Sequence, residues 1–161
     1  MIPAVIHFFT QFPPYLSTLL MAVFPITERF ALSFALLHYH MPIWEGIFLV
    51  IVGNMIPVIT ILLLAEKFHN WISNHNSIFG KTWVKSVAHA QAKFARYEKY
   101  GLFGILFFLS IPSPLNGVYT ASLIAFILGY PMHKSLPYLF AGVIIGNLAT
   151  LGFMFGLVKL F

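Results

Sequence analysis

Apolar residues fill two long stretches of the chain, Ile43 to Ala65 and Ser135 to Val158, with at most one charge, Glu45, close to an end. A helix needs about 20 mostly apolar residues to cross a bilayer, so each stretch predicts a transmembrane helix. The remaining apolar stretches are shorter and sit on either side of prolines. Residues 15–24 and 26–38 flank Pro25, and residues 100–111 and 117–129 flank Pro112 and Pro114. At a rise of about 1.5 Å per residue none exceeds roughly 20 Å of helix, short of a hydrocarbon core about 30 Å thick. Each pair therefore predicts a re-entrant helical hairpin, with four kinked transmembrane helices as the alternative.

The same pattern occurs twice. Pro25 and Pro42 are matched by Pro114 and Pro131 at an offset of 89, which also places Ser33 on Ser122. Further along, "GNMIPVITILLLAEKF" from Gly53 and "GNLATLGFMFGLVKLF" from Gly146 align at an offset of 93. The offset grows by four residues, about one helical turn, so the face of the helix is kept. The predicted fold is an all-α integral membrane protein forming a single membrane domain, 1–161. Repeat 1 covers about 15–68, a linker covers 69–99, and repeat 2 covers about 100–161. With the hairpins entering from opposite sides, the repeats are inverted, an arrangement common in transporters.

Charge sets the orientation. Six of the nine Lys and Arg residues fall between Lys67 and Lys99, so the positive-inside rule places the loop 67–99 in the cytoplasm. Within it Trp83, Val87, Ala90, Phe94 and Tyr97 recur at helical spacing against Lys81, Lys85, Lys93 and Arg96, which predicts a basic amphipathic helix on the inner membrane face. The net charge of +5 thus points to anionic membrane lipids as partners, not to nucleic acid. Composition agrees: 60% hydrophobic residues, 8% charged and a mean hydropathy of +0.88 are far from a soluble domain. The first charged side chain is Glu28, so a secretory signal peptide is not expected at the start.

Chemistry concentrates at the hairpin tips. Glu28 and Arg29 sit in the apolar stretch "FPITERFALS", where each charge costs at least about 2.5 kcal/mol at the bilayer centre. Adjacent helical residues point about 100° apart, so both need partners from another segment. In the second tip Ser113 before Pro114 reads as a helix N-cap with proline at the first position, leaving the amides of Leu115, Asn116 and Gly117 at a positive dipole end suited to an anion. Two uses remain open: a substrate or proton path, or a structural polar lock that fastens the hairpins together. Asn54 and Asn147, each after a glycine, serve helix packing or contact a ligand. The pair His38 and His40 lacks a third ligand at metal-binding spacing, and no metal or cofactor is expected. With no cysteine and no hydrolase or phosphate-loop motif, an enzyme is not expected.

These stretches resemble the small multi-drug export family of prokaryotic membrane proteins. The resemblance rests on "FPITERFALS", "VGNMIPV" and "EKYGLFGILFFLSIPSPLNGVYTASLIAFILG", with Glu28, Gly53, Asn54, Pro57, Pro112, Pro114, Gly117 and Thr120 on the family pattern. It departs in having Arg29 directly after Glu28, and Phe30 and Ser33 where small residues or proline are usual. More distantly, the two-hairpin layout is similar to DedA and VTT-type lipid-scrambling proteins, without their arginine motif in the second tip. The resemblance implies a multi-pass protein of the prokaryotic inner membrane that exports a small amphipathic substrate, drug-like or lipid-phosphate. The short repeats also make a homodimer plausible.

Overall fold

The computed structural model describes residues 7–73, 81, 82, 84, 85, 88, 98–111 and 117–158. The regular structure of the described residues is all helical, with no strand among them. In order they form α1 (Pro14–Val23), a 3₁₀ turn (Glu28–Phe30), α2 (Ala31–Leu37), α3 (Ile43–Ser73), α4 (Glu98–Ser110), α5 (Val118–Ile127) and α6 (Met132–Val158). The two predicted long helices are present, with apolar spans over Ile43–Lys67 and Met132–Gly156. Since α3 continues through Ser73 and α4 begins at Glu98, helix extends into both ends of the predicted linker 69–99. Its amphipathic pattern, carried by Trp83, Val87, Ala90, Phe94 and Tyr97, lies outside the described residues.

Proline and glycine set the short helices. Pro14 starts α1, where its missing N–H is no loss, and Phe24 leaves α1 in an extended conformation (φ −82°, ψ 133°) because the residue before Pro25 disfavours the helical region. At the end of α5, Gly129 takes a left-handed φ of 76° and the Tyr130 N–H donates to the Ala125 carbonyl (3.1 Å), a helix ending that favours glycine.

The ends of the two long helices pair in opposite directions. Near the end of α3, Glu66 Oε1 accepts from the Met132 N–H at the start of α6 (3.3 Å). Near the end of α6, Met154 Sδ lies 3.3 Å from the Ser33 hydroxyl of α2, and α2 in turn packs on Gly46 in the first turn of α3. α3 and α6 are therefore antiparallel.

Each long helix carries one short helical pair. Tyr15, at the start of α1, donates its hydroxyl to Glu45 Oε2 in the first turn of α3 (2.6 Å), and α1 reaches Gly53 by Leu19 and Ala22. α2 returns to the starting end, where the Tyr39 hydroxyl donates to Ser17 (2.9 Å). At the other end Phe103 of α4 meets Tyr138 of α6 edge to face, with ring centroids 5.4 Å apart. α4 then reaches Gly142 and Gly146 by Leu106 and Leu109. α5 brings the chain back to Tyr130, which packs over Gly101.

Two apolar cores result. One joins Met21, Ala22, Ala31, Leu32, Val50 and Leu151; the other joins Val58, Leu62, Leu109, Val118, Ala121, Leu139 and Val143. Small side chains recur at the crossings, with Ala31 and Ala35 on α2 and Ala121 and Ala125 on α5 fully buried. Facing outward, α3 exposes Trp44, Phe48, Ile56, Ile59 and Leu63, and α6 exposes Phe140, Ile145, Leu148 and Phe153. Apolar outer faces on helices of this length suit lipid, not water. Between the two cores, after Val50 and before Val58 on α3 and after Val143 and before Leu151 on α6, lie the paired Gly53-Asn54 and Gly146-Asn147.

Candidate functional site

The first short pair turns at Phe24 to Phe30. Thr27 is buried and donates its hydroxyl to the Met21 carbonyl (2.7 Å), while the Glu28 N–H donates to the Phe24 carbonyl (2.9 Å). These bonds hold the turn that presents Glu28 and Arg29.

Glu28 is buried, and Oε1 accepts from the Val118 N–H at the start of α5 (3.1 Å). The carboxylate therefore meets the positive end of a helix from the other short pair. Gly117 leaves room for it, since a Cβ there would sit 3.0 Å from Glu28 Oε2. A second bond crosses in the opposite sense: the Tyr119 hydroxyl donates to the Val23 carbonyl at the end of α1. The turn between α1 and α2 and the start of α5 thus satisfy each other's backbone groups, which solves the problem of helix ends placed away from water.

Arg29 is less well served. Its Nε lies 3.7 Å from Glu28 Oε1, close enough for charge attraction but not a hydrogen bond. On the other side Nη1 approaches α6, 3.6 Å from where a Cβ on Gly146 would stand. Nε and Nη2 are buried and find no hydrogen-bond acceptor among the described residues. A buried N–H left unpaired costs about 1–3 kcal/mol, more when charged, so the guanidinium holds an unmet demand in this state.

The predicted site residues divide as follows. Glu28, Arg29 and Gly117 come together. Ser113, Pro114 and Asn116 lie outside the described residues. The described helix α5 begins at Val118, with Gly117 extended (φ −90°, ψ 162°) in the capping position. Asn147 turns back on its own helix, donating Nδ2 to the Val143 carbonyl (2.8 Å). Asn54 is buried with Oδ1 unpartnered, and no described contact joins either asparagine to Glu28 or Arg29. The expectation that Glu28 and Arg29 need partners from another segment holds for Glu28, but the two also attract each other. They sit in a 3₁₀ turn where long side chains bend to a common side. Val118 and Tyr119 were not anticipated, since a backbone N–H and a tyrosine in an apolar run carry no sequence signal. An apolar groove of about 320 Å³ between α4 and α5, lined by Tyr100, Gly104, Ile105, Phe108, Ile124 and Leu128, holds no charged group.

The family pattern coincides with this geometry. A family model described as "Putative small multi-drug export protein" matches residues 28–148, from Glu28 through the Gly146-Asn147 pair of α6. The chain belongs to this family. The small multi-drug export match covers about three quarters of the chain, taking in α2 to α5 and most of α6. No curated protein and no solved structure matches the chain.

Proposed function

We propose that this member of the small multi-drug export family is a membrane exporter whose substrate passes a site at the Glu28–Arg29 turn. The observation that carries the reading is a turn that buries Glu28 beside Arg29, joined to the second short helical pair through Val118 and set against the long helix α6 at Gly146, in a chain of an export family. In this reading Glu28 takes up and releases protons and Arg29 contacts the substrate, while the two halves rock about the turn. The protein works without catalysis or cofactor, in the inner membrane among anionic lipids, with loop 67–99 in the cytoplasm and a homodimer as the assembly.

The topology proposed for this exporter is a pair of inverted repeats with re-entrant hairpins. Three groups of contacts support it. The Glu66–Met132 bond sets the start of α6 at the end of α3, so residues 98–131 leave and return on one side. Tyr15–Glu45 and Tyr39–Ser17 set both ends of the first pair at the opposite end. Gly53 and Gly146, matched by the repeat, make corresponding crossings with α1 and α4. Thiol labelling of intact cells tests this directly, as the chain has no cysteine. We expect Lys134→Cys to label from the same side as Lys85→Cys, and His40→Cys from the other. Labelling of Lys134→Cys from the side of His40→Cys would establish four full spans.

For transport itself, reconstituted vesicles carrying Glu28→Gln or Arg29→Ala should lose export while the folded yield stays near wild type. The glutamine still offers Val118 an acceptor, so loss of transport then reports the charge. Full export by both variants would remove the turn from the mechanism. The Glu28–Val118 bond favours a second reading, a polar lock without substrate, which predicts instead that both variants fail to fold.

A further inference from the structure

Guanidinium nitrogens Nε and Nη2 share one edge, whose two N–H bonds point the same way and match a pair of oxygens about as far apart as those of a carboxylate or phosphate. In this protein both atoms of that edge are the ones left without an acceptor on Arg29, whereas Nη1 faces Gly146. Glu28 does not fill the edge. Its Oε1 is taken by the Val118 N–H and stands 3.7 Å from Nε, and its Oε2 rests against Gly117. The carboxylate is thereby committed to the start of α5, and the positive end of that helix is already occupied by the protein's own anion. What remains unpaired is the arginine edge. Both of its nitrogens are buried, and the accessible fifth of the Arg29 side chain (19%) lies on its other atoms, so a ligand reaches the edge as the two halves rock apart, while Glu28 beside it is closed off (1%).

We infer that Arg29 is the receptor for a two-oxygen anionic group, a carboxylate or phosphate, received bidentate on its Nε–Nη2 edge. The inference rests on the export reading in naming the class of substrate for the same turn, and it disfavours a cationic one. An anion there satisfies two buried donors at once, whereas a cation would face the guanidinium with no free carboxylate to meet it, Glu28 being held by Val118. The same geometry sets a sign for Glu28: as a like charge a few ångströms from the bound anion it weakens binding, so its neutral isostere should strengthen it.

The test is binding without any gradient, on the full chain purified in a neutral maltoside detergent, read as the ligand-dependent rise in unfolding temperature by tryptophan fluorescence. Probes are inorganic phosphate and acetate as soluble anions, dodecyl phosphate and dodecanoate as lipid-like ones, and dodecyltrimethylammonium as the cation. A saturable rise with an anion but not with the cation is expected, and whichever anions act, soluble or lipid-like, identify the source. Arg29→Lys keeps the charge but not the paired N–H bonds and should weaken binding about tenfold. Glu28→Gln should tighten it severalfold. Equal response to the cation, or unchanged anion binding in Arg29→Lys, would overturn the assignment. Because Arg29→Lys and Glu28→Gln shift in opposite directions, a general loss of folding does not imitate the result. Anion binding without export supports the inference and refutes only the export reading; export of cations without anion binding does the reverse.

Discussion

Glu28→Ala is expected to lower stability by about 3–5 kcal/mol, the range for removing one member of a buried ion pair. The substitution takes two things at once. It leaves the Val118 N–H without its acceptor at the start of α5, and it leaves the Arg29 guanidinium, already lacking two acceptors, without its nearby negative charge. Glu28→Gln should cost less, about 1–2 kcal/mol, since the amide oxygen still accepts from Val118. The decisive comparison is the double variant Glu28→Ala/Arg29→Ala. With no lone charge left behind, its loss should fall short of the sum of the two single losses by about 1–3 kcal/mol, measured by thermal unfolding in detergent as a double-mutant cycle. Strict additivity would mean that the 3.7 Å separation is a proximity without energy, and that Glu28 acts on stability through Val118 alone.

Much of this architecture was legible in the residues because hydropathy and proline act locally. The predicted short stretches 15–24 and 117–129 enclose or overlap α1 (Pro14–Val23) and α5 (Val118–Ile127) to within a residue or two at their starts. Helix length alone forbids these from crossing a core about 30 Å thick. The glycines were informative for a similar reason: glycine at a helix crossing has a steric cause, and a Cβ on Gly53 or Gly146 would strike a neighbouring helix. What stayed hidden depends on partners distant in the chain. Nothing near Glu28 names Val118, 90 residues away, and nothing in "GVYTAS" distinguishes Tyr119 as a donor to Val23 from a tyrosine packed as bulk. Gly117 too owes its place to a distant partner, since the room it leaves is taken by the Glu28 carboxylate.

The glycines give the sharpest division of outcomes, because alanine should act in opposite directions at positions that look alike in sequence. A Cβ on Gly146 would lie 2.5 Å from the Leu109 carbonyl oxygen, and one on Gly53 would lie 2.5 Å from Ala22 Cβ and 3.1 Å from the Leu19 carbonyl oxygen. Neither neighbour is the end of a flexible side chain, so the helices must move apart; Gly146→Ala and Gly53→Ala should each cost about 1–3 kcal/mol or more. Gly104 and Gly152 have nothing within 4 Å of the same position, and there alanine should be neutral or stabilise by up to about 1 kcal/mol through helix propensity. Rescue separates the two tight crossings. Ala22→Gly removes the atom that Gly53→Ala strikes first, so the pair should recover much of the loss in unfolding temperature. No side-chain change can move the Leu109 backbone, so Gly146→Ala should stay destabilised in the background of any substitution at Leu109. If Gly146→Ala were instead as stable as Gly152→Ala, α4 and α6 would not cross as closely as the structure places them, and Arg29 would have a different wall beside its Nη1.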